Sequence, residues 1–208
     1  MAENTVICIA RQFGSGGHHI GRTLAKQLGI AFYDKELLKQ AAEKSGILPE
    51  LFEKNDEKPA SGLTSAFAYN SVDEKMSDYA AYAAYLPNDR IQNAIADTIR
   101  DVAEHSSCVI IGRCADYILR GRQGTFSVFV WAPLEARIQR IARTHNLEED
   151  AARALIRKTD RSRANYYAFY TDRDWASAES YDLSINSGRL GLEKTVDLVA
   201  QVSPFFGG

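Results

Sequence analysis

No apolar run in the 208 residues approaches the roughly 18 that a membrane-spanning helix needs. The opening Met-Ala-Glu-Asn also lacks the basic flank and apolar stretch of a signal peptide. The expectation is a cytoplasmic protein with no membrane partner. Cysteine is scarce. Cys8, Cys108 and Cys114 lie in or beside apolar runs, without a C-x-x-C pair or a metal-ligand spacing. That pattern excludes a disulfide scaffold and a structural zinc site, and reads as buried thiols in a reducing compartment. An excess of charge is missing too: 25 basic residues against 27 acidic ones leave a net charge of −2, so nucleic acid is not an expected partner. There is no internal repeat and no low-complexity tail beyond Gly207-Gly208.

What is present reads as one α/β domain spanning residues 1–208, long enough to bury a proper core. Val6 to Ala10 is a short strand-like run, followed by the glycine turn Gly14-Ser15-Gly16-Gly17. A helix comes next, with Ile20, Leu24 and Leu28 on one face and Gly29 as its stop. Ile30 to Tyr33 predicts a second strand and Lys35 to Lys44 a helix. Asn55 to Gly62 reads as a loop, and Tyr79, Tyr82 and Tyr85 as a helical tyrosine stripe suited to packing or a homodimer contact. Asp89 to His105 predicts a helix, and Cys108 to Ile111 and Phe126 to Trp131 predict strands. Leu134, Ile138, Ile141 and Ala142 mark the core face of the next helix, with Arg137, Arg140 and Arg143 on its other faces. Asn146 and Glu149 form a capping pair for the helix after it. Leu183 to Asn186 and Leu192 to Val202 predict a last strand and a last helix. Strands alternating with helices imply a parallel sheet covered on both faces. Ligands sit beyond the carboxyl ends of such strands, so the loops after Ala10, Tyr33, Ile111, Trp131 and Ile185 are expected to share one crevice.

A strand, a glycine turn and a helix together present unbonded amides and a positive dipole end to an anion. Against the phosphate-loop pattern G-x-x-x-x-G-K-[ST], residues 11–23 offer two registers. One uses Gly16 and Gly21, with Arg22 for lysine and Thr23 as the hydroxyl, and starts the helix late. The other keeps the normal distance from strand to helix and is the better one. It places Arg11 at the first glycine, Gly17 at the lysine, and His18 and His19 at the hydroxyl positions. An amide nest still binds phosphate without lysine. Rapid γ-phosphoryl transfer then takes its charge from elsewhere, and Arg11, Arg22 or a downstream arginine are the candidates. His18 and His19 diverge by roughly 100° on a helix and are poorly placed to share a metal ion. Basic residues concentrate at 137–173, including Arg153, Arg157, Lys158, Arg161, Arg163 and Arg173. Arg157 and Arg161 alone would read as a solvated face; the neighbouring Tyr166, Tyr167, Tyr170 and Arg173 favour a lid.

The segments ARQFGSGGHHIGRTLAKQLGIAFYDKELL, VIIGRCADYIL, FSVFVWAPLEARIQRI, KTDRSRANYYAFYT and YDLSINSG, in this order, resemble the cytidylate kinase-like family. The resemblance covers about half the chain. It implies the P-loop nucleoside monophosphate kinase fold, with a helical monophosphate-binding region at 47–105 and an arginine-rich lid at 150–175. It also implies transfer of the ATP γ-phosphoryl group, with Mg²⁺, to CMP or a similar monophosphate. Carried onto this sequence, Gly14, Ser15, Gly16, Gly17 and His18, with Arg22, would bind phosphate. Asp34, Arg113 and Asp116 would hold the monophosphate, Asp34 also serving magnesium. Arg11, Arg113, Asp160, Arg161 and Arg163 would be the catalytic set. Arg137, Arg140 and Asn186 would contact nucleotide. The chain departs from the family where acids flank the equivalent of Arg113, because Ile111 and Cys114 stand there instead. Two other readings stay open: a nucleotide sensor that has lost transfer along with the lysine, and an assembly protein using its tyrosine-rich middle.

Overall fold

In the computed structural model, residues 4–46 and 74–206 are described. Strand β1 (Val6–Arg11) runs into α1 (Gly17–Leu28), β2 (Ala31–Tyr33) and α2 (Lys35–Ser45). After the long α3 (Glu74–His105) come β3 (Cys108–Ile111), the one-turn α4 (Ala115–Ile118) and β4 (Thr125–Trp131). Helices α5 (Leu134–His145) and α6 (Glu149–Thr171) precede β5 (Leu183–Asn186), and α7 (Ser187–Leu190), α8 (Leu192–Val202) and a 3-10 turn (Ser203–Phe206) follow it. The predicted loop at Asn55–Gly62 lies outside the described residues. The tyrosine stripe at Tyr79, Tyr82 and Tyr85 falls on the backbone of α3, which merges it with the helix expected from Asp89; those side chains are likewise outside the description.

All five strands are parallel, in the order β2-β3-β1-β4-β5. Parallel strands joined by helical crossovers are apolar on both faces, and β1 shows why. Val6 and Cys8 point to a cluster built with Leu37, Ile95 and Ile99. Ile7 and Ile9 point the other way, onto Ile20 and Leu24 of α1 and Val196 and Val199 of α8. A third cluster gathers Tyr166, Tyr167, Trp175 and Tyr181 with Phe129 of β4, and a fourth joins α5 to α6 through Ile138, Ile141 and Ile156. All three cysteines are buried and reduced, and burial pushes the Cys108 thiol up to about 12. No helix among the described residues is long and apolar enough to cross a membrane.

Two sequence expectations need correction. Leu28 is in phase with Ile20 and Leu24, yet it is exposed at the last helical position before Gly29 turns the chain away in the left-handed conformation. Asn146 does not cap α6. It ends α5 in the left-handed conformation (φ 52°), and Glu148 stands at the α6 N-terminus without a side-chain cap. An αL cap is the alternative use of asparagine at a helix terminus, because its short polar side chain tolerates positive φ.

β1 lies at the centre of the sheet. The connection leaving β1 runs toward the β2 edge and those leaving β4 toward the β5 edge, so a crevice opens above the carboxyl ends of this central pair.

Candidate phosphate-binding site

Helix α1 begins at Gly17, with Gly16 in the left-handed conformation (φ 87°) as its N-cap. That start excludes the register built on Gly21 and Arg22, and places Gly17 where the pattern has lysine. The turn between β1 and α1 has a second positive φ at Gly14 (80°). Such a path aims successive N–H groups into one concavity. The amides of Gly14, Gly16, His18 and His19 have no acceptor among the described residues, and no side chain caps the helix. This is an anion cradle at a helix N-terminus. It floors a cleft of about 490 Å³ walled by the loop, by Arg140, Thr144 and His145 of α5, by Asp34 and by Arg163.

Ser15 has a different place from the one expected. Its amide and hydroxyl both donate to the Gln12 carbonyl (3.2 and 2.8 Å), and its carbonyl accepts from the Ser187 hydroxyl at 2.7 Å. It is fully buried and fixes the loop from beneath. Ser187, which sequence reasoning missed, also donates to the Trp131 carbonyl at 3.0 Å, so the ends of β4 and β5 lock onto the loop.

Asp160 and Arg137 form the second brace. One Asp160 oxygen accepts from the Phe13 amide at 2.7 Å, and the other pairs with the Arg137 guanidinium at 2.5 Å. Arg137 is buried. Its Nε donates to the Ala132 carbonyl at 3.0 Å, and a terminal nitrogen donates to the Phe13 carbonyl at 3.2 Å. The expectation that Arg137 lies off the core face is therefore wrong. In this arrangement both Arg137 and Asp160 grip the loop backbone rather than face the open cleft. Arg140 reaches the Gly14 carbonyl and remains on the cleft wall.

Of the arginines between 150 and 175, Arg163 is the one that lines the cleft. It donates to the Arg11 carbonyl at 3.2 Å, and its guanidinium lies 5.7 Å from the Phe13 ring centre. Phe13 also meets His145 edge-on at 5.8 Å. Arg161 and Arg157 are exposed on the opposite side of α6, as the bland reading of that spacing has it. Arg22 is exposed with its guanidinium over Phe32, and it does not line the cleft. Asn186 uses its side-chain oxygen to accept the amides of Gly188 and Arg189 and so caps α7. Its oxygen serves the α7 cap, and Asn186 is not among the residues lining the cleft.

Arg113 does not line the cleft; it is buried at the turn after β3 and reaches the cleft wall through Asp34. Gly112, Arg113 and Cys114 all have positive φ, which turns the Arg113 side chain back over its own strand. Its guanidinium donates to the Ile111 carbonyl at 3.0 Å and to Asp34 at 2.9 Å. The second Asp34 oxygen lies 3.2 Å from His18 Nε2. Arg113, Asp34 and His18 thus run in a line from the buried end of β3 to the first turn of α1. Among the described residues no group of three or more histidine, cysteine or acidic side chains is placed to hold a metal ion. Asp34 is the carboxylate on the cleft wall, the kind of single protein ligand that suits a magnesium ion carried on phosphates.

Asp116 stands apart from that line. It accepts from Tyr167 at 2.6 Å, and desolvation pushes its carboxyl up to about 6 against the opposing pull of that hydrogen bond. The folded value lies above the unfolded 3.8, so the protonated form favours the folded state. This stabilisation is whole below about pH 3.8 and is lost as pH rises through about 6. Asp116→Asn keeps an oxygen for Tyr167 without the charge. The variant is expected to be about 1–3 kcal/mol more stable than the parent at pH 8 and nearly equal to it at pH 3.5. Urea denaturation at both pH values checks this. A constant difference would remove Asp116 as the cause.

The sequence model of the cytidylate kinase-like family matches residues 6–189. A cytidylate kinase of Methanopyrus kandleri is 25% identical over 97% of this chain and 94% of its own length. Another, from Haloarcula marismortui, is 30% identical over 56% of this chain, and the match spans 63% of that relative, under two thirds of it. Among solved structures, an uncharacterized protein from Eubacterium ventriosum superposes with a TM-score of 0.70 at 24% identity, covering 97% of this chain and 99% of its own.

Proposed function

Because the chain belongs to the cytidylate kinase-like family, we propose that it is an ATP-dependent kinase that phosphorylates a nucleoside monophosphate, with CMP or dCMP the first choice of acceptor. The observation that carries this reading is the open amide cradle between Phe13 and Ile20, facing guanidinium groups across one cleft. Phosphoryl transfer asks the protein for positioning and charge neutralisation rather than covalent chemistry. The cradle would hold the triphosphate of ATP, supplied as its magnesium complex, with Arg140 and Arg163 on the walls. Arg113 would orient the acceptor phosphate. An oxygen of that phosphate attacks the γ-phosphorus, the bond to the β-bridging oxygen breaks, and ADP leaves with a nucleoside diphosphate as co-product. Two relatives named cytidylate kinase support CMP as the acceptor to try first.

Incubation with ATP, Mg²⁺ and a panel of nucleoside monophosphates is expected to yield ADP and one diphosphate in equal amounts. Absence of turnover with every acceptor overturns the kinase reading. A sensor that binds without transferring is the second reading, favoured by Gly17 at the lysine position and by Ile111 and Cys114 beside Arg113. Calorimetric binding of ATP or CMP without product identifies it.

A further inference from the structure

The phosphate-loop pattern puts glycine first and lysine seventh. Here arginine is first, at position 11, and glycine is seventh, at position 17. The two departures are physically coupled. A Cβ built on Gly17 would stand 2.5 Å from the Arg11 Cβ and 3.0 Å from its Cγ. Because the Arg11 Cβ is fixed by the backbone, turning the side chain does not relieve the overlap. Any side chain at 11 requires glycine at 17, and a lysine at 17 requires glycine at 11. The Arg11 stem consequently crosses the first residue of α1, where the dipole and the open amides gather. The residue lines the cleft, and its carbonyl is held by Arg163. Arg22, the other nearby arginine, sits over Phe32 outside the cleft.

We propose that Arg11 and Gly17 are an exchanged pair, in which Arg11 delivers to the triphosphate the positive charge that phosphate loops of the common pattern draw from their lysine. The inference rests on the phosphoryl-transfer reading for its ligand. A guanidinium in this place presents a planar fork to two phosphate oxygens, where an ammonium offers a point charge.

Four proteins test the pair: the parent, Arg11→Met, Gly17→Lys and the double variant Arg11→Gly/Gly17→Lys. Each is titrated calorimetrically with inorganic tripolyphosphate and with the magnesium complex of a non-hydrolysable ATP analogue, and each is melted thermally. Arg11→Met keeps the stem over Gly17 without the charge. Its melting is expected to stay near the parent's while both ligands bind roughly 10- to 100-fold more weakly, the size of a lost charged hydrogen bond. Gly17→Lys alone is expected to melt lower. The double variant is expected to recover melting and to bind within about tenfold of the parent, an exchange that a merely structural role for Arg11 would not rescue. Unchanged affinity in Arg11→Met overturns the proposal. So does a double variant that folds like the parent but binds like Arg11→Met, and so does Gly17→Lys melting like the parent. A parent that binds neither ligand removes the phosphoryl-transfer reading as well, whereas parental turnover beside an unaffected Arg11→Met removes the exchanged pair alone.

Discussion

Asp160→Ala is expected to lower stability by about 3 kcal/mol and to abolish most nucleotide binding, although Asp160 does not line the cleft. The Arg137 side chain is 9% exposed and that of Asp160 18%, so removing the carboxylate leaves a nearly buried guanidinium without its counter-charge. Breaking one partner of such a pair costs roughly 3–5 kcal/mol, and the partial exposure of Asp160 argues for the lower end. For a domain of this size that corresponds to a fall in Tm of roughly 6–12 °C. The binding loss has a separate cause. The Phe13 amide loses its acceptor, and the loop that aims the Gly14 and Gly16 amides is then held by Ser187, Arg140 and an Arg137 that has lost its counter-charge. Asp160→Asn retains an oxygen for Phe13, so it is expected to lose stability while keeping more nucleotide affinity than the alanine variant. The double variant Arg137→Met/Asp160→Leu, with no buried charge left to desolvate, is expected to recover much of the stability without restoring the affinity. Urea denaturation and calorimetric titration of the three variants separate the two effects. If Asp160→Ala melts within 2 °C of the parent, on the order of 1 kcal/mol or less, the brace contributes nothing to the fold.

The sheet was legible because parallel strands buried on both faces write themselves as apolar runs. Val6–Ala10 and Cys108–Ile111 carry hardly a polar atom between them, and the glycines at 14, 16 and 29 mark where the chain reverses. The loop register was legible too, since only one choice leaves Ile20 inside the helix. Arg137 was not, because hydropathy alone assigns arginine to water. By position it lies three residues after Leu134 and four before Ile141, on the stripe that packs inward, and the half-buried Asp160 carboxylate makes that tolerable. The same reasoning applies to α6. Ile156, Asp160, Arg163 and Tyr167 recur at helical spacing with buried apolar residues at both ends. That phase distinguishes Arg163 from the exposed Arg157 and Arg161. Ser187 had no local signature at all, because its role depends on the ends of β4 and β5 meeting the glycine turn. The segment 47–73, part of the region 47–105 expected to choose the monophosphate, lies outside the described residues.

Arg113 carries the second large effect, and there the backbone and the side chain have opposed energetics. The residue is 2% exposed and holds φ 55°, a conformation that costs a side-chain-bearing residue roughly 1–2 kcal/mol. The ion pair with Asp34 and the bond to the Ile111 carbonyl offset that strain. Arg113→Ala removes the compensation and keeps the strain. It is expected to destabilise the fold by about 3–5 kcal/mol, because Asp34, whose side chain is 14% exposed, loses the Arg113 guanidinium. Arg113→Gly removes strain and compensation together, and should therefore be about 1 kcal/mol more stable than the alanine variant. Both variants are expected to bind a nucleoside monophosphate about 1.5–3 kcal/mol more weakly, or roughly 10- to 100-fold. Arg113→Lys restores charge without the fork and should fall between them and the parent in affinity. Denaturation curves rank the backbone term and monophosphate titrations rank the side-chain term. A glycine variant no more stable than the alanine variant would show that the left-handed turn at Gly112–Cys114 is not a source of strain. Parental affinity in Arg113→Ala would place the acceptor phosphate elsewhere in the cleft.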